Sequence, residues 1–514
     1  MRTLLPVLLL AVTSLTAAPA SKPKLIVNVA IDQFRYDYLT RFRSEFTGGL
    51  KRLIEHGAVF TNAHYEHFPT VTAVGHSTML TGATPSVSGI VGNEWYDRET
   101  NTQVTSVSDS ERKLLGGTGM ASSPHRLLVS TVGDELKMAN GKSKVIGVSS
   151  KDRSAILPAG RMADGAFWFD TNTGNFVSST WYFPAMPAWA EKFNSSRVVD
   201  QWTGKQWTSS TSKPDSKPFA QLGAKPDKNY YNTLDRTPYS NELLVQFAEA
   251  AIEGENMGTD DYTDLLAISF SANDRVGHGV GPDSEQMHDI TVQSDRILGR
   301  FFEYLDKKVG ATNYVVILTA DHGVAPLPEV QEKRHMPGGR MPEGAVLNAI
   351  QKALTAKFGE GEWLIGKSGP APYFNYDVIE QKKLTHEEVE NAAAAAVRAI
   401  PHIARVYTRT QLRAGNLLND RFDARVRAGF NSERGSDLFV VSEPYWLFEA
   451  RGTSHGTPYN YDSHVPVVFL GPGIKPGRYY GKVAVNDIAP TLSTMFDVEI
   501  PSGATGRVLS EMFQ

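Results

Sequence analysis

Apolar runs that stop abruptly at polar residues set the organisation of this chain. Lys24 to Ile31 (KLIVNVAI) is almost continuously apolar and ends at Asp32. Three later segments share the form: LLAISFSAND at 265–274, YVVILTADHG at 314–323 and VPVVFLGPGI at 465–474. Short continuous runs of this kind predict strands buried on both faces of a parallel sheet. Helical stretches lie between them, among them Tyr239 to Ile252, Glu285 to Leu305, and Asp487 to Phe496 behind Asn486. The alternation predicts an α/β fold, with a central, mostly parallel sheet flanked by helices. Sheets of that kind bind ligands at the carboxyl ends of their strands, where these polar residues fall.

Two regions break the alternation. Residues 155–238 are rich in Trp, Tyr, Ser, Pro and Lys with little periodicity, and predict a long surface insertion. Residues 340–445 hold a helix-like alanine run (Glu387 to Ile400), then IARVYTRTQL and SDLFVVSEPYWLFEA, which read as strands. They predict a small α+β subdomain capping the site, both regions being inserted within one catalytic domain of residues 21–514.

The stretch 67–98 carries the first candidate for chemistry. Thr72 precedes a short apolar stretch, Ala73 to Leu80, with Gly82 as the expected helix stop. A hydroxyl there faces free backbone N–H groups and the positive end of the helix dipole, where an anion is stabilised. An ordinary Thr N-cap has the same appearance. Other residues decide between the two. Asp32 closes the first strand, Asp274 and His278 lie four apart behind the second, and Asp321-His322 closes the third. His455 sits in GTSHGTPYNYD between glycines. Three carboxylates and three imidazoles on one sheet edge suit zinc, and suffice for two ions. Two facing zinc ions stabilise the attacking and leaving oxygens of an in-line displacement at phosphorus. Asn93 lies beyond a Gly-containing loop and can donate to a phosphoryl oxygen. Lys151 and Arg153 (SSKDRSAI) add a point charge and a planar fork for phosphate.

Composition narrows the picture further. The 514 residues include no cysteine, which excludes disulfides, thiolate chemistry and Cys-ligated zinc. A net charge of -4 gives no reason to expect nucleic acid or an acidic membrane as partner. Arg2, the apolar run Leu4 to Leu15 and Ala18-Pro19-Ala20 form a secretory signal pattern over residues 1–20, with cleavage expected after Ala20. A periplasmic or secreted protein without a membrane anchor is expected, and a monomer is compatible with the sequence.

These residues resemble the alkaline phosphatase superfamily, in its phosphate-irrepressible alkaline phosphatase branch within the phosphodiesterase/nucleotide pyrophosphatase-like group. The resemblance rests on VAIDQFRYDYL at 29–39, TGATPSVSGIVGN after Thr72, SSKDRSAI, SANDRVGH, TADHG and TSHGTPYNYDSHVP. It implies that Thr72 is the nucleophile and forms a phosphothreonine. It implies that Asp32, Asp321, His322 and Thr72 hold the zinc that activates the nucleophile. Asp274, His278 and His455 would hold the zinc at the leaving oxygen. Asn93, Lys151 and Arg153 match the residues that hold the transferred phosphoryl group.

Two cations beyond the metals favour the dianion of a monoester over the monoanion of a diester. The expected activity is therefore alkaline phosphatase, with small phosphate monoesters as substrates and a phosphodiesterase/nucleotide pyrophosphatase of the same fold as rival. A sulfatase needs a nucleophile made from Cys or Ser, and Thr72 is neither. A phosphomutase fits export poorly, and a solute-binding protein would need no hydroxyl at residue 72. His76 and His464 are expected to orient ligands, with His464 in reserve should His455 fail.

Overall fold

The computed structural model describes residues 22–210 and 217–513. Residues 1–20, with the signal pattern, lie outside the described residues. In chain order the elements that matter are β1 (Leu25–Ile31), β2 (Ala58–Phe60), α1 (Thr72–Thr81), β3 (Ser108–Leu115) and β4 (Met120–Ser122). They continue with β5 (Val145–Ser149), α2 (Asp152–Ala159), β6 (Gly165–Asp170), β7 (Asn175–Ser179), β8 (Asp264–Phe270) and α3 (Ala272–Val280). Then follow β9 (Tyr314–Thr319), α4 (Ala345–Phe358), α5 (His386–Arg398), β10 (Ile403–Thr408), α6 (Arg421–Gly429), β11 (Leu438–Ser442), β12 (Val467–Leu470) and β13 (Gly477–Tyr479).

An 11-stranded sheet forms the core, in the order β13-β2-β12-β9-β1-β8-β5-β6-β7-β3-β4. Its centre is parallel: β1 pairs with β9 and β8, β8 with β5, and β5 with β6. Every residue of β1, β8 and β9 is buried, as expected for strands covered on both faces. β12 departs from the parallel expectation, running antiparallel to β9. Its burial on both sides gives it the same apolar signature as a parallel strand.

The stretch 155–238 differs from the expected surface insertion. β6 and β7 within it extend the central sheet, and Phe167, Phe169 and Phe176 join the main core. The aromatic residues that disguised the region are the ones that fill the core. Residues 340–445 form two-stranded β10–β11 with α4 and α5 around a core of their own, including Ile350, Trp363, Val389 and Leu438.

Helix α1 is buried along its whole length and ends at Gly82, whose φ of 64° lies in the left-handed region that glycine adopts without strain. The helix sits tightly against the end of β9. A Cβ at Gly75 would meet the Asp321 carbonyl oxygen at 2.1 Å. Gly75→Ala is therefore expected to destabilise the fold by about 1–3 kcal/mol, read as a lowered Tm. An unchanged Tm with full activity would contradict this close seating.

Candidate metal centre

Four neighbouring parallel strands, β9, β1, β8 and β5, deliver their closing residues to one edge. Asp321 and His322 follow β9, Asp32 follows β1, Asp274 stands in the first turn of α3 behind β8, and Lys151 follows β5. Asp32, Asp321 and His322 are fully buried, with Asp274 and Lys151 nearly so.

Backbone carbonyls aim the three histidines. Nδ1 of His278 donates to Thr453 O (2.8 Å), that of His322 to Gly323 O (2.9 Å) and that of His455 to Thr70 O (2.9 Å). A carbonyl only accepts, so each Nδ1 holds a proton and each Nε2 is left for the centre. His322 Nε2 lies 3.1 Å from Asp321 Oδ2 and 3.4 Å from Thr72 Oγ1. His278 Nε2 lies 3.2 Å, and His455 Nε2 3.8 Å, from Asp274 Oδ1. The His322 and His455 rings stack at 3.4 Å between centroids.

Two groups of donors could each hold an ion. The ligand atoms of Asp274, His322 and His455 lie within 4.8 Å of one another, and so do those of Asp32, His76 and Asp321. His322 is near both groups. His76 Nε2 is 3.0 Å from Asp32 Oδ1 and 3.7 Å from Asp321 Oδ2, a position from which it could either orient these carboxylates or join them as a ligand.

The charge balance also fits metal ions. Of the three buried carboxylates two, Asp32 and Asp274, share one ammonium, Lys151 Nζ, at 3.0 Å and 2.6 Å. Asp321 Oδ2 faces only ring nitrogens among the described residues, those of His322 at 3.1 Å and His76 at 3.7 Å. Buried anions in such numbers require further positive charge. Burial, the largest influence, would raise the carboxyls of Asp32 and Asp274, but Lys151 together with His76 at Asp32 and with His278 and His322 at Asp274 outweighs it and holds both well below their ordinary range. Burial would lower His322, yet Asp321 and Asp274 raise it to about 9. His455 goes the other way, driven well below 6.5 by burial and by the charges of His322 and His278.

Thr72 is the first residue of α1, not its cap. Val71 takes the cap position, and no side chain makes a cap hydrogen bond there. The ordinary N-cap reading of Thr72 therefore lapses, and its buried hydroxyl lies beside His322. The Ala73 N–H donates to Asn93 Oδ1 at 2.8 Å, which leaves the Asn93 amide nitrogen to donate into the adjoining cleft. That cleft, about 620 Å³, is lined by Asn93, His278 and His455, and by Tyr373, Phe439 and Val441 of the 340–445 region. Arg153 stands in the first turn of α2, half-buried, with Nε free of hydrogen bonds. His464 lies elsewhere, with Nε2 to Thr61 O at 3.0 Å and its ring on Tyr36.

Gln33 escaped the sequence reading. Its N–H donates to Asp321 Oδ1 and its Nε2 to Asp274 Oδ1, each at 2.9 Å, so it braces one carboxylate of each group. Its φ of 60° is unusual for a residue with a side chain. Its only sequence signal is its place after Asp32.

Fold and centre together place the chain in the alkaline phosphatase superfamily. Within it, the chain belongs to the type I phosphodiesterase / nucleotide pyrophosphatase family, whose model matches residues 26–464. It is 36% identical to alkaline phosphatase PafA of Elizabethkingia meningoseptica, over 96% of this chain and 94% of that protein. It is 35% identical to alkaline phosphatase PhoV of Synechococcus elongatus, over 96% and 94% respectively. The crystal structure of wild-type PafA matches with a TM-score of 0.89 at 35% identity, covering 97% of this chain and 100% of that one.

Proposed function

We propose that this chain is a zinc-dependent alkaline phosphatase, which hydrolyses phosphate monoesters through a phosphothreonine at residue 72. The observation that carries this reading is the pair of cations at the start of α2: Lys151, which spans the buried carboxylates of Asp32 and Asp274, and Arg153 two residues on. A dianionic phosphoryl group matches them better than a monoanionic diester. The two relatives called alkaline phosphatases support it over nearly the whole chain.

Two zinc ions, held by Asp32, Asp321, His322 and Thr72 and by Asp274, His278 and His455, would supply Lewis-acid stabilisation of developing charge and activate oxygen nucleophiles. Thr72 Oγ1 gives up its proton to solvent and attacks phosphorus in line. The Oγ1–P bond forms as the bond to the alcohol oxygen breaks, that oxygen takes a proton from water, and the alcohol departs through the cleft. Asn93, Lys151 and Arg153 hold the phosphoryl oxygens through both halves of the reaction. Water then attacks phosphorus, the Oγ1–P bond breaks, and inorganic phosphate leaves. The signal pattern at residues 1–20 supports action outside the cytoplasm, and among the described residues no helix is long and apolar enough to cross a membrane.

Rates with an aryl phosphate monoester and the matching diester test the reading. The monoester should be preferred, and a large diester preference would sink it in favour of a phosphodiesterase. Lys151→Ala and Arg153→Ala should each lower monoester kcat/KM by roughly 10²-fold, the size of one preorganised charge contact. The diester rate should fall far less. Equal losses on both substrates would show that these cations do not sort the two classes.

A further inference from the structure

The loop that carries His455 has a second face. Pro458 lines the catalytic cleft and also a separate cavity of about 570 Å³ on the other side. That cavity lies between α6 of the 340–445 region and the segment after β1. None of the residues assigned to the metal centre or to phosphoryl binding lines it.

Its walls combine cations and ring faces. Arg421 and Arg425 stand four apart on α6, on one helical face. Among the described residues neither has a carboxylate within 4.0 Å: Arg425 donates to the Pro458 carbonyl and Arg421 lies over the Phe422 ring. Arg35, by contrast, is tied to Asp37 at 2.8 Å. Burial, and to a lesser degree Arg421, push the Arg425 guanidinium below its ordinary value although the Glu66 carboxylate pulls it up, so an anion beside the two arginines would add to what Glu66 supplies. Tyr36 stacks on His464 (4.7 Å, 14°) and Tyr445 on Tyr461 (5.0 Å, 30°). Tyr445 is held at φ 67°, a left-handed conformation that costs a residue with a side chain. Guanidinium forks match oxyanions in shape, and tyrosine faces stack planar rings.

We infer that this cavity is a second ligand site, which takes a small molecule bearing both an oxyanion and a planar ring, through Arg421, Arg425 and the tyrosine walls. It is independent of the phosphatase assignment, since it uses none of the same side chains.

Equilibrium dialysis of the zinc-loaded enzyme with phenylphosphonate tests it, because the P–C bond resists hydrolysis. The native chain should bind two molecules, one in each cavity. Arg421→Gln, at an exposed position, should weaken the second site about tenfold. Arg421→Gln/Arg425→Gln should leave one molecule bound, with kcat for an aryl phosphate retained. Inorganic phosphate, which lacks the ring, should fill the second site at least tenfold more weakly than phenylphosphonate, and Tyr36→Ala should erase that difference. A native chain that loses no bound molecule on Arg421→Gln/Arg425→Gln overturns the proposal, as does a second site indifferent to Arg421→Gln. Equal affinity for the two probes overturns the part that requires a ring.

Discussion

Thr72→Ala is expected to lower turnover of an aryl phosphate monoester by roughly 10³-fold or more, the scale seen when a covalent nucleophile is removed. The folded state should barely change. Thr72 heads α1 without capping it, so no cap is lost, and its hydroxyl lies 3.4 Å from His322 Nε2. The position decides how strongly Oγ1 can act. It is almost wholly buried, and it sits at the N-terminus of a ten-residue helix, where backbone N–H groups and the dipole favour negative charge. Thr72→Ser keeps an oxygen at that place and should retain measurable turnover. Acid-quenched native enzyme should carry phosphate on the peptide containing residue 72, and Thr72→Ala should not. A Thr72→Ala variant working near the native rate would mean that water attacks directly, and the phosphothreonine would be abandoned.

The sequence exposed this centre because strands buried on both faces leave long apolar runs. Asp32 and Asp321 mark where those runs stop, and the observed strands end at Ile31 and Thr319. Asp274 sits a little further on, after β8 has ended at Phe270 and α3 has begun, and the four-residue spacing to His278 still placed both on one helical turn. What failed to show has equally physical causes. β6 reads GAFWFD amid Ser, Pro and Lys, so its aromatic content looked like loop instead of sheet. β12 is buried like its neighbours, and burial carries no record of strand direction. The hydrogen bonds that aim His278, His322 and His455 end on carbonyls of Thr453, Gly323 and Thr70, which residues of any type could supply. Gln33 works through a backbone turn at φ 60°, a feature that side-chain types do not announce.

Removing the metal should abolish activity, by roughly 10³-fold or more, because stabilisation of several kcal/mol is lost at the reacting oxygens. Dialysis against a chelator followed by zinc should restore the rate. The metal-free chain should stay folded, because Lys151 already spans Asp32 and Asp274 and offsets part of their charge. Zinc should then raise Tm, since ligand at a thousandfold excess over Kd contributes about 4 kcal/mol per site. Proton competition sets the pH at which reloading works. In the metal-free chain His322 is raised to about 9 by its carboxylate neighbours, so near pH 7 its Nε2 holds a proton that an ion must displace. His455, held well below 6.5, is neutral there and offers its lone pair at once. A raised pKa means that the proton binds more tightly below that value, so zinc affinity should fall as pH drops from 9 toward 6. Titration of the metal-free chain with zinc should release protons, and Asp321→Asn should reduce that release by lowering His322 toward its ordinary value. Zinc affinity flat across this pH range would show that His322 does not ligate. Activity undiminished after exhaustive chelation would remove the metal centre altogether.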